Sequence, residues 1–134
     1  MVQYKPLKFK LRKTYSTKAA QTNVKVKFTP QNGNNYPDLT PGNVYRVIGI
    51  EADDYRLIND FGSPYLYPHD LFLVVDNEEP ADWLTEYGDE GERYAYPPEL
   101  NQPGFFDDYF DDEPTAVHIF RRYQDKQHHR TFTR

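Results

Sequence analysis

The chain has no cysteine, one methionine, one tryptophan and only seven glycines in 134 residues. Without cysteine there is no disulfide, no thiolate zinc site and no cysteine nucleophile. No apolar run approaches the roughly 18 residues of a membrane-spanning helix, and the basic first 20 residues lack the apolar stretch of a secretory signal. A soluble, cytoplasmic protein with no membrane partner is therefore expected. Branched aliphatics are also scarce, with 4 Ile, 9 Leu and 8 Val against 9 Phe, 12 Tyr and 1 Trp. Rings must build much of any core, and the length bounds that core to one domain or to a small domain with extensions.

Charge of one sign is missing from long stretches. No acidic residue precedes Asp38, whereas Lys5, Lys8, Lys10, Arg12, Lys13, Lys18, Lys25 and Lys27 do. From Asp38 to Glu113 there are 20 acids against Arg46, Arg56 and Arg93, and beyond them Asp125 alone faces five Lys or Arg. Basic ends of this kind suit phosphate backbones or acidic protein surfaces, or they lie on the chain's own acidic middle. The acidic middle repels nucleic acid and attracts basic partners.

Hydrophobic period and turn formers outline the body. Val24 to Thr29 alternates apolar and basic residues, the pattern of a half-buried strand. Pro30 to Asn43 is rich in Asn, Gly, Pro and Asp and reads as a long ordered loop. Val44 to Glu51 is a strand with a bend or bulge at Gly49, followed by strands over Tyr55 to Asn59 and Pro64 to Tyr67. Pro68-His69-Asp70-Leu71 suits one 3₁₀ turn before a last strand from Phe72 to Val75.

Five short strands with a long first loop and a 3₁₀ turn before the last strand resemble the SH3-like small barrels. Residues 24 to 76, and in particular Tyr36-Pro-Asp-Leu-Thr-Pro-Gly-Asn-Val-Tyr-Arg-Val-Ile, Tyr55-Arg-Leu-Ile-Asn-Asp and Tyr65-Leu-Tyr-Pro-His-Asp-Leu-Phe, are similar to small uncharacterised SH3-like domains common in bacterial and phage genomes. The resemblance implies a mainly β fold with a five-stranded barrel and no particular activity. It lacks the Ala-Leu-Tyr-Asp-Tyr run and the Trp-Trp pair of SH3 domains that hold proline-rich peptides, so that ligand is not implied. The resulting division is a basic arm over 1–22, a barrel over 23–76, an acidic aromatic extension over 77–123 and a basic tail over 124–134.

Within the extension, Gly62-x-x-Tyr65-x-Tyr67-Pro68-x-Asp70-Leu71 recurs 29 residues later as Gly91-x-x-Tyr94-x-Tyr96-Pro97-x-Glu99-Leu100. The second copy reads as another hairpin ending in a Pro-started turn. The echo is either one turn solution reached twice, a duplication, or a pair of similar contact patches made by exposed tyrosines. Trp83 suits pinning the extension to the barrel. Phe105, Phe106, Tyr109 and Phe110 fall on one helical face opposite Asp107, Asp108, Asp111 and Asp112, and Pro114 to Tyr123 suits a last short helix.

Chemistry finds little purchase. No P-loop, dinucleotide fingerprint, H-E-x-x-H or G-x-S-x-G occurs. The acids at 107–113 lack the glycine and spacing of a calcium loop, and His128-His129 lie in a polar tail without a second spaced pair. His69 beside Asp70 has no nucleophile placed against it. The expectation is a non-enzymatic accessory protein without cofactor or metal, docking on a larger protein or ribonucleoprotein complex, with oligomeric state open. Tyr36, Tyr55, Tyr65, Tyr67, Pro68, Tyr94 and Tyr96 are the candidate partner contacts. Lys8, Lys10, Arg12, Lys13, Arg121 and Arg122 are the candidates for nucleic acid or an acidic surface, with interleaved rings able to stack on bases. An acidic inhibitor or DNA mimic is the alternative drawn from residues 76–113, and a nucleic-acid-binding accessory protein is the alternative drawn from the arms.

Overall fold

Alternating side chains make a strand two-faced, and here both faces are covered. The computed structural model describes residues 23–31 and 35–132. Its strands are β1 (Val24–Phe28), β2 (Val44–Glu51), β3 (Asp54–Ile58), β4 (Pro64–Pro68), β5 (Phe72–Asp76), β6 (Leu84–Tyr87) and β7 (Arg93–Tyr96). One-turn 3₁₀ helices at His69–Leu71 and Pro98–Leu100 follow β4 and β7, and helices α1 (Phe105–Phe110) and α2 (Pro114–Phe132) close the described chain. The fold is mainly β.

All pairings are antiparallel, in the order β4-β3-β2-β1-β5. The long β2 is the hub. Its first half, Val44 to Val47, pairs with β1, while Ile50 and Glu51 extend past β1 and pair with Ala95 and Tyr94 of the β6–β7 hairpin. Where a five-stranded closed barrel was expected, the structure has one seven-stranded antiparallel sheet that does not close. The extra length of β2 accounts for the two added strands, because it offers the hairpin an edge past β1.

Three neighbouring strands each send consecutive residues to opposite faces. Val47, Leu57 and Ala95 join one core with Val24, Val26, Phe28, Leu39, Tyr45, Tyr67, Leu71 and Trp83. Ile48, Ile58 and Tyr96 pack on the other side with Leu100, Phe105, Phe106, Ala116, Phe120 and Tyr123. Between them, the β2–β3 register shifts between Val47 and Gly49. This bulge reverses the alternation, so that Val47 and Ile50, three apart, meet the same core. Gly49 also faces the Tyr96 ring so closely that a Cβ there would sit within it.

Trp83 is buried in the first core, and the helices lay their rings on the second face. α2 runs well past Tyr123, so most of the expected basic tail is helical. Nothing after Pro114 breaks it: the stretch from Gln124 to Phe132 holds neither Gly nor Pro. Contacts at its polar end hold it further, with Lys126 Nζ 2.7 Å from Glu99 Oε2 and Arg46 donating to Gln127 Oε1 at 3.3 Å. At its start, Glu113 Oε1 accepts from the free amides of Thr115 and Ala116.

Candidate interaction surface

The echoed motif builds the same local structure twice. Gly62 and Gly91, with φ of +83° and +82°, each close a hairpin turn before the strand. The second tyrosine of each strand turns inward, and a Pro then starts a 3₁₀ turn that buries Leu71 or Leu100. The two inward tyrosines enter opposite cores, Tyr67 the first and Tyr96 the second.

Both hydroxyls bind carboxylates there. Tyr67 donates to Asp38 Oδ2 at 2.7 Å and accepts from Asn59 Nδ2 at 3.1 Å. The Asp38 carbonyl accepts from the Asp60 amide, and Tyr45 and Thr40 hydroxyls donate to the Asp60 carboxylate at 2.8 and 2.7 Å, fastening the first long loop to the β3–β4 turn. Tyr96 donates to Glu51 Oε2 at 2.6 Å and accepts from Arg56 Nε at 2.7 Å. Arg56 is itself buried, with further bonds to the Pro64 carbonyl and Glu51, and its guanidinium stacks 3.9 Å over the Phe106 ring. Burial pushes both phenols well above the ordinary tyrosine value, assisted at Tyr67 by the Asp38 carboxylate and at Tyr96 by Glu51.

Tyr67 and Tyr96, expected at the contact surface, are thus 3% and 2% exposed and spend their hydroxyls on internal bonds. A strand places side chains but does not decide which face a loop will cover. Tyr36 and Tyr55 are half-buried in the ring cluster around Tyr67, with Tyr36 edge-on to Tyr67 at 5.9 Å and Tyr55 edge-on to Phe72 at 5.9 Å. Tyr94 is half-buried beside Glu92 on the hairpin, with its hydroxyl raised by burial first and by that carboxylate second. Of the expected contacts, Tyr65 and Pro68 are exposed. Arg121 and Arg122 are exposed on α2, while Lys8, Lys10, Arg12 and Lys13 lie outside the described residues.

Tyr65 has a partner that the sequence did not reveal. Its ring lies 5.5 Å from that of Phe110, also exposed at the end of α1, and Phe61 in the β3–β4 turn is 75% exposed. The signal for Phe61 was its position in Asp60-Phe61-Gly62, a tight polar turn that leaves a ring no interior to enter. Asp60, Asp107, Asp108, Asp111 and Asp112, close to Phe61 and Phe110 in the sequence, are exposed. A cleft of about 150 Å³ is lined by Glu51, Arg56, Leu66, Tyr96, Gln102 and Asp107, of which Glu51, Arg56 and Tyr96 are tied by the bonds already described.

Among the described residues no group of three or more His, Cys, Asp or Glu is placed to hold a metal ion, and no helix is long and apolar enough to cross a membrane. The His69 ring contacts the Asp53 carbonyl at 2.9 Å through Nδ1. No family model, curated protein or solved structure matches the chain.

Proposed function

We propose that the protein is a non-enzymatic docking module with an SH3-like body, fastened to a basic surface of a larger protein or ribonucleoprotein complex. The strand order β4-β3-β2-β1-β5, the long first loop and the 3₁₀ turn before β5 favour the SH3-like body. The observation that carries the docking reading is the exposed ring pair of Tyr65 and Phe110, with Phe61 exposed in the turn before β4 and exposed aspartates close to Phe61 and Phe110 in the sequence. Rings give large apolar contact at low entropic cost, and acids around them steer a basic partner and reject acidic ones.

Affinity capture from the native host, comparing the wild type with Phe61→Ser/Tyr65→Ser/Phe110→Ser, tests it. The variant keeps its circular dichroism and loses the partner. Equal recovery by both overturns the reading. A second reading, an acidic decoy for a DNA-binding protein, draws on the four exposed aspartates of α1 and its C-terminal turn. Duplex DNA releases the partner in that case and leaves it bound in the first.

A further inference from the structure

The two outer edges of the main sheet are treated differently. β4 begins and ends with proline, which offers no N–H to a pairing strand, and its Tyr65 is partly covered by Phe110. β5 has no proline and no described strand on its outer side. Along it, Leu73, Val74 and Val75 are 57%, 43% and 48% exposed, three consecutive apolar residues covering both strand faces. Val44, half exposed on β2, lies in the same cross-strand row as Leu73 with Lys27 between them. Unpaired backbone groups flanked by apolar side chains favour another strand over a helix or a small molecule.

Charge selects among strands. Asp70 precedes the apolar run, and Asp76 and Glu78 follow it, with Lys25 on β1 opposite Asp76. An antiparallel pairing of two copies centred on Val74 would set the Asp70 end of one against the Glu78 end of the other, and like charges across a strand pair are destabilising. A basic strand meets acids at both ends instead. We infer that the outer edge of β5 is a strand-addition site for an extended segment of a partner protein, with apolar residues alternating with Lys or Arg. This edge is separate from the ring patch, so either surface can fail without the other.

The test uses the full chain and a synthetic ten-residue peptide of alternating valine and lysine. The peptide slows hydrogen exchange at those β5 amides that point away from β1, whereas the same peptide N-methylated at alternate amides does not. Leu73→Lys/Val75→Lys, two exposed positions, keeps the circular dichroism and binds about tenfold more weakly, as does a valine–glutamate peptide to the wild type. Unchanged exchange with the lysine peptide, or equal binding by the methylated one, overturns the inference. So does protection of these amides in the monomeric chain without peptide, which would make a segment of the chain itself the occupant. Protection that appears only with dimerisation would assign the edge to a second copy and overturns it as well.

Discussion

One face of the sheet is packed mainly by strand side chains, among them Val24, Val26, Val47 and Leu57, and the other by rings delivered from two helices. The first arises within the strands and is reinforced by Leu39 of the long loop and Trp83. The second needs Phe105, Phe106, Phe120 and Tyr123 to arrive from a segment joined to the sheet through the hairpin. Ring pairs there meet edge-on or tilted with centroids 4.9 to 6.3 Å apart, geometry worth about 0.5–1.5 kcal/mol per pair beyond area burial. The comparison teaches how a chain poor in branched aliphatics covers both faces of a sheet: aliphatics and rings from the strands and first loop on one face, rings from the helices on the other.

Removing one large side chain from each face is the strongest way to break that comparison. Phe120→Ala costs about 3–5 kcal/mol and Leu57→Ala about 2–5 kcal/mol, measured by urea unfolding. If the faces differ as described, native-state hydrogen exchange in Phe120→Ala rises first in α1 and α2 while β1 to β5 stay protected. In Leu57→Ala the sheet itself loosens. Uniform loss of protection in Phe120→Ala would mean that the two faces form one cooperative unit.

Gly49→Ala comes next, because the added Cβ meets the Tyr96 ring, which is held by Glu51 and Arg56 and cannot swing away cheaply. Overpacking of this kind costs about 1–3 kcal/mol, read as a lowered denaturation midpoint. Paired with Tyr96→Leu, which vacates the ring's position, the cost of the alanine falls. A cost that persists in the double variant would place it in the bulge backbone instead.

Tyr67→Phe and Tyr96→Phe compare the two copies of the motif. Each leaves a buried or half-buried polar partner without its hydroxyl and costs about 1–3 kcal/mol at neutral pH. Because both phenols are raised in the folded state, the unfolded chain loses its protons first as the solution becomes alkaline. Their contribution is complete below the ordinary tyrosine value of about 10 and declines above it. The wild type therefore loses stability above that pH more steeply than either phenylalanine variant, as thermal melts at increasing pH will report. Parallel curves would show that these hydroxyls ionise as they do in water.

The smallest expected effect is a gain. Burial, followed by the nearby carboxylates of Asp53 and Glu51, raises Asp54 above the ordinary aspartate value. Its folded form favours the proton, so the charged carboxylate costs stability at neutral pH and the cost vanishes in acid. Asp54→Asn raises Tm slightly at pH 7 and leaves it unchanged below about pH 3.9. A lowered Tm at pH 7 would contradict the sign.

The strands were legible because their signals are local: period-two alternation in Val24 to Phe28, turn formers around each hairpin, and Pro68 and Pro97 before the 3₁₀ turns. The bulge at Gly49 was legible for the same reason. What escaped was what covers what. Tyr65 and Tyr67 are chemically alike and two residues apart, yet the long loop brings Tyr36 and Asp38 onto Tyr67 and leaves Tyr65 half exposed against Phe110. Arg56 entered the sequence reading only as one of three basic residues from Asp38 to Glu113, whereas it bridges Glu51 to the distant Tyr96 and Phe106. The polar end of α2 carries no apolar period to announce a helix, and the absence of a breaker was its only signal.

On the proposed function, binding belongs to the outer rings and stability to the inner tyrosines. The direct measurement is partner recovery, well below the melting temperature, by Phe61→Ser/Tyr65→Ser/Phe110→Ser and by Tyr67→Phe/Tyr96→Phe. The account predicts that the first variant melts like the wild type and loses the partner, while the second melts lower and retains it. The reverse pattern, with the partner lost on removing the buried hydroxyls and kept without the outer rings, would contradict it.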